Sequence, residues 1–318
     1  MKLYIVGGKS PTGKALIEIL RKHKIRFLAP ADKYFDPNNA LAIAKSITDF
    51  RPDQLINLAD FISGNHGALK RAESTELRCR QVNAQLPAVL SEVCDHLAIP
   101  MLHLSNSYVF DGEKKLAYNE TDELNPLGVY GRCTLAGEEA VRAHPRHIIV
   151  RSGWLFGLHK RVLIKSWLRL AKRGSHELPM FRRRFSPTAT ADLAMALFAI
   201  VRQVDCDANA WGTYHYAGLE TKREAEFARQ TLEYAANHDE DIYQMLENFV
   251  LKEGGVRLPE IANSTLSSKK IFDTFGIKPK SWHGHLRETV KSLYGGKLRE
   301  SEERTDAEPA AVAPLAEH

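Results

Sequence analysis

Residues 1–22 read MKLYIVGGKSPTGKALIEILRK and combine an apolar run, a glycine-rich turn and a helix-like repeat. Lys2–Val6 has the length and composition of a buried strand, and Gly7–Gly13 is dense in turn-forming residues. Ala15–Lys22 then carries apolar residues at helical spacing. A strand, a glycine turn and a helix in this order open a dinucleotide-binding domain, whose first helix presents its N-terminus to a pyrophosphate. The stretch therefore predicts an α/β fold that begins with a phosphate loop.

The turn GGKSPTG places glycine at two of the three positions that such a loop requires. Gly7 suits the tight turn, and Gly13 suits close packing of helix on strand. The middle position, where backbone approaches the phosphates, is Ser10, whose hydroxyl could donate to a phosphate. A structural turn without any ligand is the alternative interpretation.

An acidic side chain near the end of the second strand would bind the adenosine ribose of the cofactor. Asp36 and Asp32 are the candidates, but neither directly follows the predicted strand Ile25–Leu28. The cofactor is therefore predicted as NADP or NAD, with the choice between them open.

Predicted strands and helices continue to alternate after this first unit. The further predicted strands are Leu55–Ala59, Pro100–Ser105 and His147–Arg151. The further predicted helices are Ala40–Phe50, Val82–Leu97 and Tyr130–Ala143. Such alternation predicts a Rossmann-type, doubly wound parallel sheet with right-handed crossovers.

The alternation weakens after about residue 155, which predicts a second, smaller and mostly helical lobe for the substrate. We expect a Rossmann domain over 1–153, with its core continued by segments near 186–218, and an interleaved substrate lobe over 154–294. Residues 297–318 are acidic, rich in Ala and Pro and poor in apolar bulk, and are predicted to be disordered.

Composition narrows the function classes. The chain has 318 residues, of which 44% are hydrophobic and 26% charged, and its formal net charge is +5. This mild excess of positive charge fits an anionic small molecule and does not require a nucleic acid. The apolar runs fall short of the roughly 20 residues needed to span a membrane. The 4 cysteines and 13 histidines lack metal-ligand spacing, so we expect no metal site, and reduced thiols in a cytoplasmic protein.

Residues 103–141, HLSNSYVFDGEKKLAYNETDELNPLGVYGRCTLAGEEAV, carry the most specific pattern in the chain. They resemble the dTDP-4-dehydrorhamnose reductase family of extended short-chain dehydrogenases. That family has a Ser-Thr-Asp-Tyr-Val-Phe-Asp-Gly strand end, an acidic-Asn-Pro-Leu turn and a Tyr-Gly-x-x-Lys-x-x-Gly-Glu helix. The pieces FRPDQLINLAD, QVNA, VRSGWLFG, SPTATADLA and WGTYHYAG follow in the family's order, so the resemblance covers nearly the whole chain to about residue 294.

The resemblance implies NAD(P)H-dependent reduction of a 4-keto sugar attached to a nucleoside diphosphate. In the family a tyrosine donates the proton, and a lysine one helical turn later lowers the pKa of that tyrosine and binds the nicotinamide ribose. The tyrosine corresponds to Tyr130, but the lysine position holds Thr134. Asn106 replaces the threonine that polarises the carbonyl, and its amide can still donate a hydrogen bond.

The resemblance also implies a set of binding residues. Those expected at the cofactor are Gly7, Ser10, Gly13, Asp36, Ala59, Asn83, Ser105 and Tyr130. Those expected at the substrate are Tyr108, Phe110, Trp154, Arg182, Arg183 and Thr188.

Two further departures bear on binding. Asp60 stands where the family has a run of small residues next to the cofactor, and its carboxylate could repel or crowd a pyrophosphate. Arg182 and Arg183 replace an Asp-Gln pair, and they could grip a diphosphate in a bidentate manner or form a solvated basic turn.

Two hypotheses remain open from the sequence. The first is an active reductase with Tyr130 as acid. The second is an inactive family member that binds a nucleotide sugar, with its cofactor retained or lost, as the regulatory or scaffold subunit of a partner enzyme or as a homodimer. Thr134 and Asp60 favour the second hypothesis, and the retained Tyr130 and Tyr108 favour the first or at least retained sugar binding.

Overall fold

The computed structural model describes residues 1–61, 68–173, 177–246, 250–256 and 259–295. The strands are β1 Lys2–Val6, β2 Arg26–Leu28, β3 Gln54–Asn57, β4 Met101–Asn106, β5 His147–Ser152, β6 Leu155–Phe156, β7 Glu177–Phe181, β8 Arg184–Phe185, β9 Thr188–Ala189, β10 Gly212–Tyr216, β11 Lys222–Arg223 and β12 Val250–Gly254. The α-helices are α1 Pro11–Lys22, α2 Ala40–Phe50, α3 Ala68–Ser74, α4 Glu76–Arg80, α5 Leu86–His96, α6 Val129–Arg142, α7 Val162–Lys172, α8 Thr190–Asp205, α9 Glu224–Ala236, α10 Glu240–Leu246, α11 Lys269–Phe275 and α12 His283–Gly295.

A central sheet organises the part of the chain that the structure describes. Its 6 strands follow the order β2-β1-β3-β4-β5-β10, and every neighbouring pair is parallel. The strand order reverses at β1, because β2 lies on one side of it and β3 on the other. In open α/β sheets ligands bind beyond the carboxyl ends of the strands at such a point. The predicted doubly wound Rossmann-type class is confirmed.

Helices cover both faces of this sheet. Leu3 and Ile5 point to one face, where they pack with α1 and α8. Tyr4 and Val6 point to the other face, where they pack with α2 and α5. The alternation follows from the two-residue period of a strand, and it fixes β1 at the centre of two apolar layers.

Apart from the two layers on the central sheet, a second apolar cluster is formed by side chains of α7, α9, α10 and α12. Phe227 lies at its centre, with ring contacts to Trp167 and Trp282. This part of the chain is mostly helical, as expected, but it also contains the short strands β6 to β9, β11 and β12. The domain boundaries expected from the sequence stay a prediction, and the tail over 297–318 lies outside the described residues.

Two predicted elements differ from those observed. β3 ends at Asn57 instead of Ala59, because Asn57 Oδ1 accepts the Ala59 backbone N–H at 3.1 Å and turns the chain. The first four residues of the helix expected over Val82–Leu97 belong instead to a π-helical turn, Gln81–Gln85, which follows α4. The rest of the expected helix is α5, which follows the turn without a break. No helix within the described ranges is long and apolar enough to cross a membrane.

Candidate active site

The phosphate loop joins β1 to α1 at the point where the strand order reverses. Gly7 has a φ of +75°, and a Cβ atom at this position would lie 2.4 Å from the Ala59 backbone nitrogen. A Cβ atom at Gly13 would lie 2.4 Å from the Gly7 carbonyl oxygen. Both positions therefore require glycine, and the predicted roles in turn formation and close helix packing agree with this geometry.

Ser10 is the N-cap of α1. Its Oγ accepts the backbone N–H of Gly13 at 3.0 Å, and its φ of −61° needs no glycine. The side chain expected to contact phosphate thus satisfies an amide of the helix N-terminus. Asp36 is also used locally, since it is exposed and its Oδ1 accepts the Asn38 N–H at 3.0 Å at the start of a short 3₁₀ turn.

The predicted acid, Tyr130, and the predicted carbonyl polariser, Asn106, lie next to each other at the carboxyl end of β4 and the N-terminus of α6. Asn106 closes β4, Tyr130 stands in the first turn of α6, and Asn106 Nδ2 donates to Tyr130 Oη over 2.8 Å. The orientation of the Asn106 amide is set by its own oxygen, which accepts the Tyr108 backbone N–H at 2.9 Å. The structure therefore brings together two residues that lie 24 positions apart in the sequence.

Asp60 decides what the Tyr130 hydroxyl can do. Tyr130 Oη donates its hydrogen to Asp60 Oδ1 over 2.9 Å. Burial, followed by the negative charge of Asp60 and this hydrogen bond, raises the pKa of Tyr130 well above its ordinary value. A family tyrosine that acts as an acid needs the opposite shift, which a neighbouring cation would provide.

Thr134 lies in the lysine position, buried one helical turn after Tyr130. Its hydroxyl donates to the Tyr130 carbonyl oxygen over 2.9 Å and accepts from Asn83 Nδ2 over 3.1 Å. Thr134 therefore brings no charge to the site. Arg132 is exposed on another side of α6 and does not replace the lysine, as its position on the helix predicts.

Asn83 ties this cluster to the end of β3. Its Nδ2 also donates to Asp60 Oδ1 over 3.2 Å, and its Oδ1 accepts the Phe61 backbone N–H at 2.8 Å. A Cβ atom at Gly137 would lie 2.0 Å from the Asn83 carbonyl oxygen, so α6 approaches the π-helical turn at backbone contact. Asn83, expected at the cofactor, thus holds the polar cluster together.

Lys160 supplies a cation on the Asp60 side of the cluster. It belongs to a turn in which its backbone pairs with Gly157, shortly after β6. Burial lowers the pKa of Lys160, and the Asp60 carboxylate partly offsets this. Sequence analysis did not single out this lysine, because it lies 100 positions from Asp60 and outside every family motif.

Ser105, also expected at the cofactor, is buried instead against a charged pair. Its hydroxyl donates to Glu138, which also accepts Arg151 Nε at 2.9 Å and Arg151 Nη2 at 2.7 Å. Burial would raise the pKa of Glu138, but the Arg151 guanidinium outweighs it and the pKa is lowered. The expected contact of Ser105 with the cofactor stays a prediction, and the sequence did not indicate its contact with Glu138, which lies 33 positions away.

The substrate side contains a second charge network. Arg183 pairs with Glu224 at 2.8 Å and with Glu260 at 2.7 Å, and Glu260 also accepts the Tyr108 hydroxyl at 3.1 Å. Both carboxylates contact the guanidinium, which is 11% exposed and so is not part of a solvated turn. The expected contact of Arg183 with a diphosphate stays a prediction. Arg182, by contrast, is 73% exposed.

Three other expected substrate residues have packing roles. Phe110 is fully buried and stacks on Tyr118 with ring centroids 4.2 Å apart. Thr188 is buried, and its Oγ1 donates to the Ser186 carbonyl oxygen. Trp154 is half-buried and packs against Phe185, within the second apolar cluster. The expected substrate contacts of these residues stay predictions, because an aromatic residue near a motif looks the same in sequence whether it contacts a ligand or the core.

A groove of about 600 Å³ lies beside the second charge network. The cationic side chains that line it are Lys114, Lys115, Arg182, Arg183, Arg184 and Arg223. Glu113 and Glu253 are the acidic side chains of the same lining. Four of these cations, Lys114, Arg182, Arg183 and Arg223, each have a carboxylate partner within 4.0 Å. Glu260, one of the two partners of Arg183, also contacts Tyr108.

Comparison with known proteins places this geometry in context. Residues 1–294 match the family model described as the RmlD substrate binding domain. A dTDP-4-dehydrorhamnose reductase of Sinorhizobium fredii is 30% identical over 92% of this chain and 98% of its own length. The enzyme of the same name from Aggregatibacter actinomycetemcomitans is 30% identical over 90% of this chain and 97% of its own.

Solved structures agree on the fold. A dTDP-4-dehydrorhamnose reductase from Clostridium acetobutylicum superposes with a TM-score of 0.77 at 24% identity, covering 92% of this chain and 99% of that one. The dTDP-4-dehydrorhamnose reductase of Bacillus anthracis, solved in complex with NADP, gives a TM-score of 0.74 at 21% identity over 92% and 98% of the two chains.

Proposed function

The chain belongs to the RmlD substrate-binding-domain family, and from this premise we propose that it binds a nucleotide sugar without carrying out the reduction that names its relatives. One observation carries the proposal: the Tyr130 hydroxyl donates its hydrogen to Asp60 Oδ1 at 2.9 Å. In a reductase the tyrosine hydrogen is donated to the substrate carbonyl. Here that hydrogen stays on Tyr130 and is directed at the Asp60 carboxylate.

The physical argument concerns the charge that reduction would create. Proton donation by Tyr130 leaves a tyrosinate, which would lie in hydrogen-bond contact with the Asp60 carboxylate. Like charges at this distance disfavour ionisation, and Thr134 offers no compensating cation. Each unit by which the pKa of the acid rises costs about 1.4 kcal/mol of proton-transfer driving force. General acid catalysis, which contributes roughly 10²- to 10⁴-fold to the rate, is therefore suppressed.

Ligand binding is supported by features that do not depend on this proton. The glycine turn that contains Gly7 and Gly13 leads directly into the N-terminus of α1, at the carboxyl end of β1. A helix N-terminus in this position suits the pyrophosphate of a nicotinamide dinucleotide, NADP or NAD, whose nicotinamide would supply the hydride for reduction when bound. Lys115 and Arg184 line the same groove as Arg183 and are cationic groups suited to the diphosphate of a nucleotide sugar.

A protein of this kind would act through the ligand-bound form, as a regulatory or scaffold subunit of a partner enzyme. A second candidate function is the active reductase itself. The contact between Asn106 Nδ2 and Tyr130 Oη favours it, because this pair has the geometry to address one substrate oxygen.

Calorimetric titration with dTDP and with dTDP sugars, paired with an NADPH-consumption assay, tests the proposal. We expect binding of the dTDP ligands, and no NADPH consumption above the rate without protein when a 4-keto-6-deoxy sugar nucleotide is supplied. Turnover on the order of 1 s⁻¹ or faster, which is ordinary for enzymes, would refute it. Asp49→Ala, which removes an exposed carboxylate on α2, serves as the charge-matched control for variants at Asp60.

A further inference from the structure

The polar hydrogens around Tyr130 are all used within the cluster. The Tyr130 O–H points to Asp60 Oδ1. The two hydrogens of Asn106 Nδ2 point to Tyr130 Oη at 2.8 Å and, in a longer contact, to Thr134 Oγ1 at 3.4 Å. Because a phenol has a single hydrogen and a primary amide has two, neither group has a further donor for a ligand.

Thr134 and Asn83 complete the pattern. The single hydrogen of Thr134 is given to the Tyr130 carbonyl oxygen. The two hydrogens of Asn83 Nδ2 are given to Asp60 Oδ1 and to Thr134 Oγ1. The Tyr108 ring packs edge-on against the Tyr130 ring, with ring centroids 5.5 Å apart. The Tyr108 hydroxyl donates to Glu260.

The cluster can therefore accept hydrogen bonds from a ligand but has no hydrogen of its own left to donate. Tyr130 Oη accepts from Asn106 and retains lone-pair capacity, and the Asp60 carboxylate only accepts. A sugar hydroxyl can donate into these oxygens. A keto oxygen at the same place would face lone pairs and receive no hydrogen bond. The relation of Lys160 to this cluster is electrostatic, since the Asp60 carboxylate raises its pKa against the effect of burial.

We infer that this site selects the hydroxyl form of a nucleotide sugar and rejects the corresponding 4-keto form. The inference rests on the proposed function and adds the chemical class of the ligand. A protein with this preference binds the product of a keto reduction and leaves the keto substrate to the reductase that consumes it. The ligand preference of the family site is thereby inverted by the orientation of one O–H bond.

The experiment compares two ligands that differ at a single oxygen, dTDP-6-deoxy-D-glucose and dTDP-4-keto-6-deoxy-D-glucose, each titrated into the full chain by calorimetry. We expect the hydroxyl sugar to bind about tenfold tighter or more, because the keto sugar leaves buried polar groups unpaired. Equal affinities, or tighter binding of the keto sugar, would overturn the inference. If neither sugar nucleotide nor dTDP binds, the proposed function fails and this inference fails with it.

Asp60→Ala tests the cause of the preference. Without the carboxylate the Tyr130 O–H is free to donate to a ligand, so the ratio of the two affinities should move at least about fivefold toward the keto sugar. The control Asp49→Ala should keep the wild-type ratio. An unchanged ratio in a folded Asp60→Ala protein would also overturn the inference. Asp60→Asn provides a second variant, whose side chain has nearly the same volume as the aspartate. The comparison of the two sugar nucleotides on the wild-type protein tests the inference without either variant.

Discussion

The side-chain amide of Asn83 donates a hydrogen bond of 3.1 Å to the hydroxyl oxygen of Thr134, 51 positions further along the chain. This bond places the position of the family lysine in a buried cluster whose charged member is the Asp60 carboxylate. A cation introduced at residue 134 would lower the pKa of Tyr130, which favours proton donation. The Asp60 carboxylate would attract the same cation and thereby oppose that effect.

Reduction should therefore return only when both positions change. We expect the double variant Asp60→Ala/Thr134→Lys to raise the rate of NADPH-dependent reduction of a 4-keto sugar nucleotide by about 10²-fold or more, because general acid catalysis contributes on that order. Initial rates of NADPH consumption measure this. Asp60→Ala/Thr134→Met, which has similar bulk and no charge, should stay at the wild-type rate. An equal gain in both double variants would mean that charge at residue 134 is irrelevant.

The phosphate loop should tolerate no added methyl group at Gly13. The Cβ atom of an alanine would lie 2.4 Å from the Gly7 carbonyl oxygen, so the backbone must shift. We expect Gly13→Ala to lower the free energy of unfolding by about 1–3 kcal/mol, the range typical of overpacking, and to weaken NADPH binding. Urea denaturation gives the first quantity and calorimetry the second.

Gly284, in α12, is the matched control, since a Cβ atom there meets no atom within 4 Å. Gly284→Ala should raise the free energy of unfolding by up to about 1 kcal/mol through helix propensity. Similar losses in the two variants would show that the contact between Gly13 and Gly7 is not the cause.

The buried pair of Glu138 and Arg151 should contribute strongly to stability near neutral pH. Glu138→Gln leaves the Arg151 guanidinium without its charged partner, and breaking a buried pair in this way costs about 3–5 kcal/mol. Glu139→Gln, at the exposed neighbouring position, should cost less than about 0.5 kcal/mol. Urea denaturation of the two variants measures the difference, and comparable losses would argue against a role for the pair.

The same pair predicts a dependence on acid. Because the pKa of Glu138 is lowered in the folded state, its stabilisation is complete above the unfolded value of about 4.3 and is lost as the pH falls toward the folded value. The difference in unfolding free energy between wild type and Glu138→Gln should therefore shrink below about pH 4.3. A difference that stays constant down to pH 3 would contradict this assignment.

His103 predicts a second dependence of the unfolding free energy on pH, in a range closer to neutral. It is buried, its Nδ1 lies 3.1 Å from Asn57 Nδ2, and burial lowers its pKa to about 4. The unfolded state takes up this proton near pH 6.5 and the folded state only near 4, so stability should fall as the pH drops between these values. The full loss is about 3 kcal/mol. His103→Gln should flatten the curve of unfolding free energy against pH, and an equally steep curve in the variant would assign the effect to other groups.

Local pattern was sufficient for much of the fold. Lys2–Val6 and Ala40–Phe50 form the strand and helix that their apolar spacing predicts. The predicted end of β3 was wrong because the Asn57 side chain accepts the backbone N–H of Ala59 and turns the chain there. The contact of Ser105 with Glu138 could not be predicted for a different reason, since Glu138 approaches from a neighbouring helix.

The order of strands and helices, the phosphate loop and the pairing of roles between Tyr130 and Asn106 could be predicted from residue spacing and from a pattern shared with a known family. The hydrogen-bond partner of the Tyr130 hydroxyl could be found only from the packing of the folded chain. Asp60 lies 70 positions from Tyr130, and the direction of the phenol hydrogen follows from which acceptor the fold places within 2.9 Å of it. Spacing along a chain encodes which face a residue takes, whereas the partner of a hydrogen bond is set by how separate elements pack.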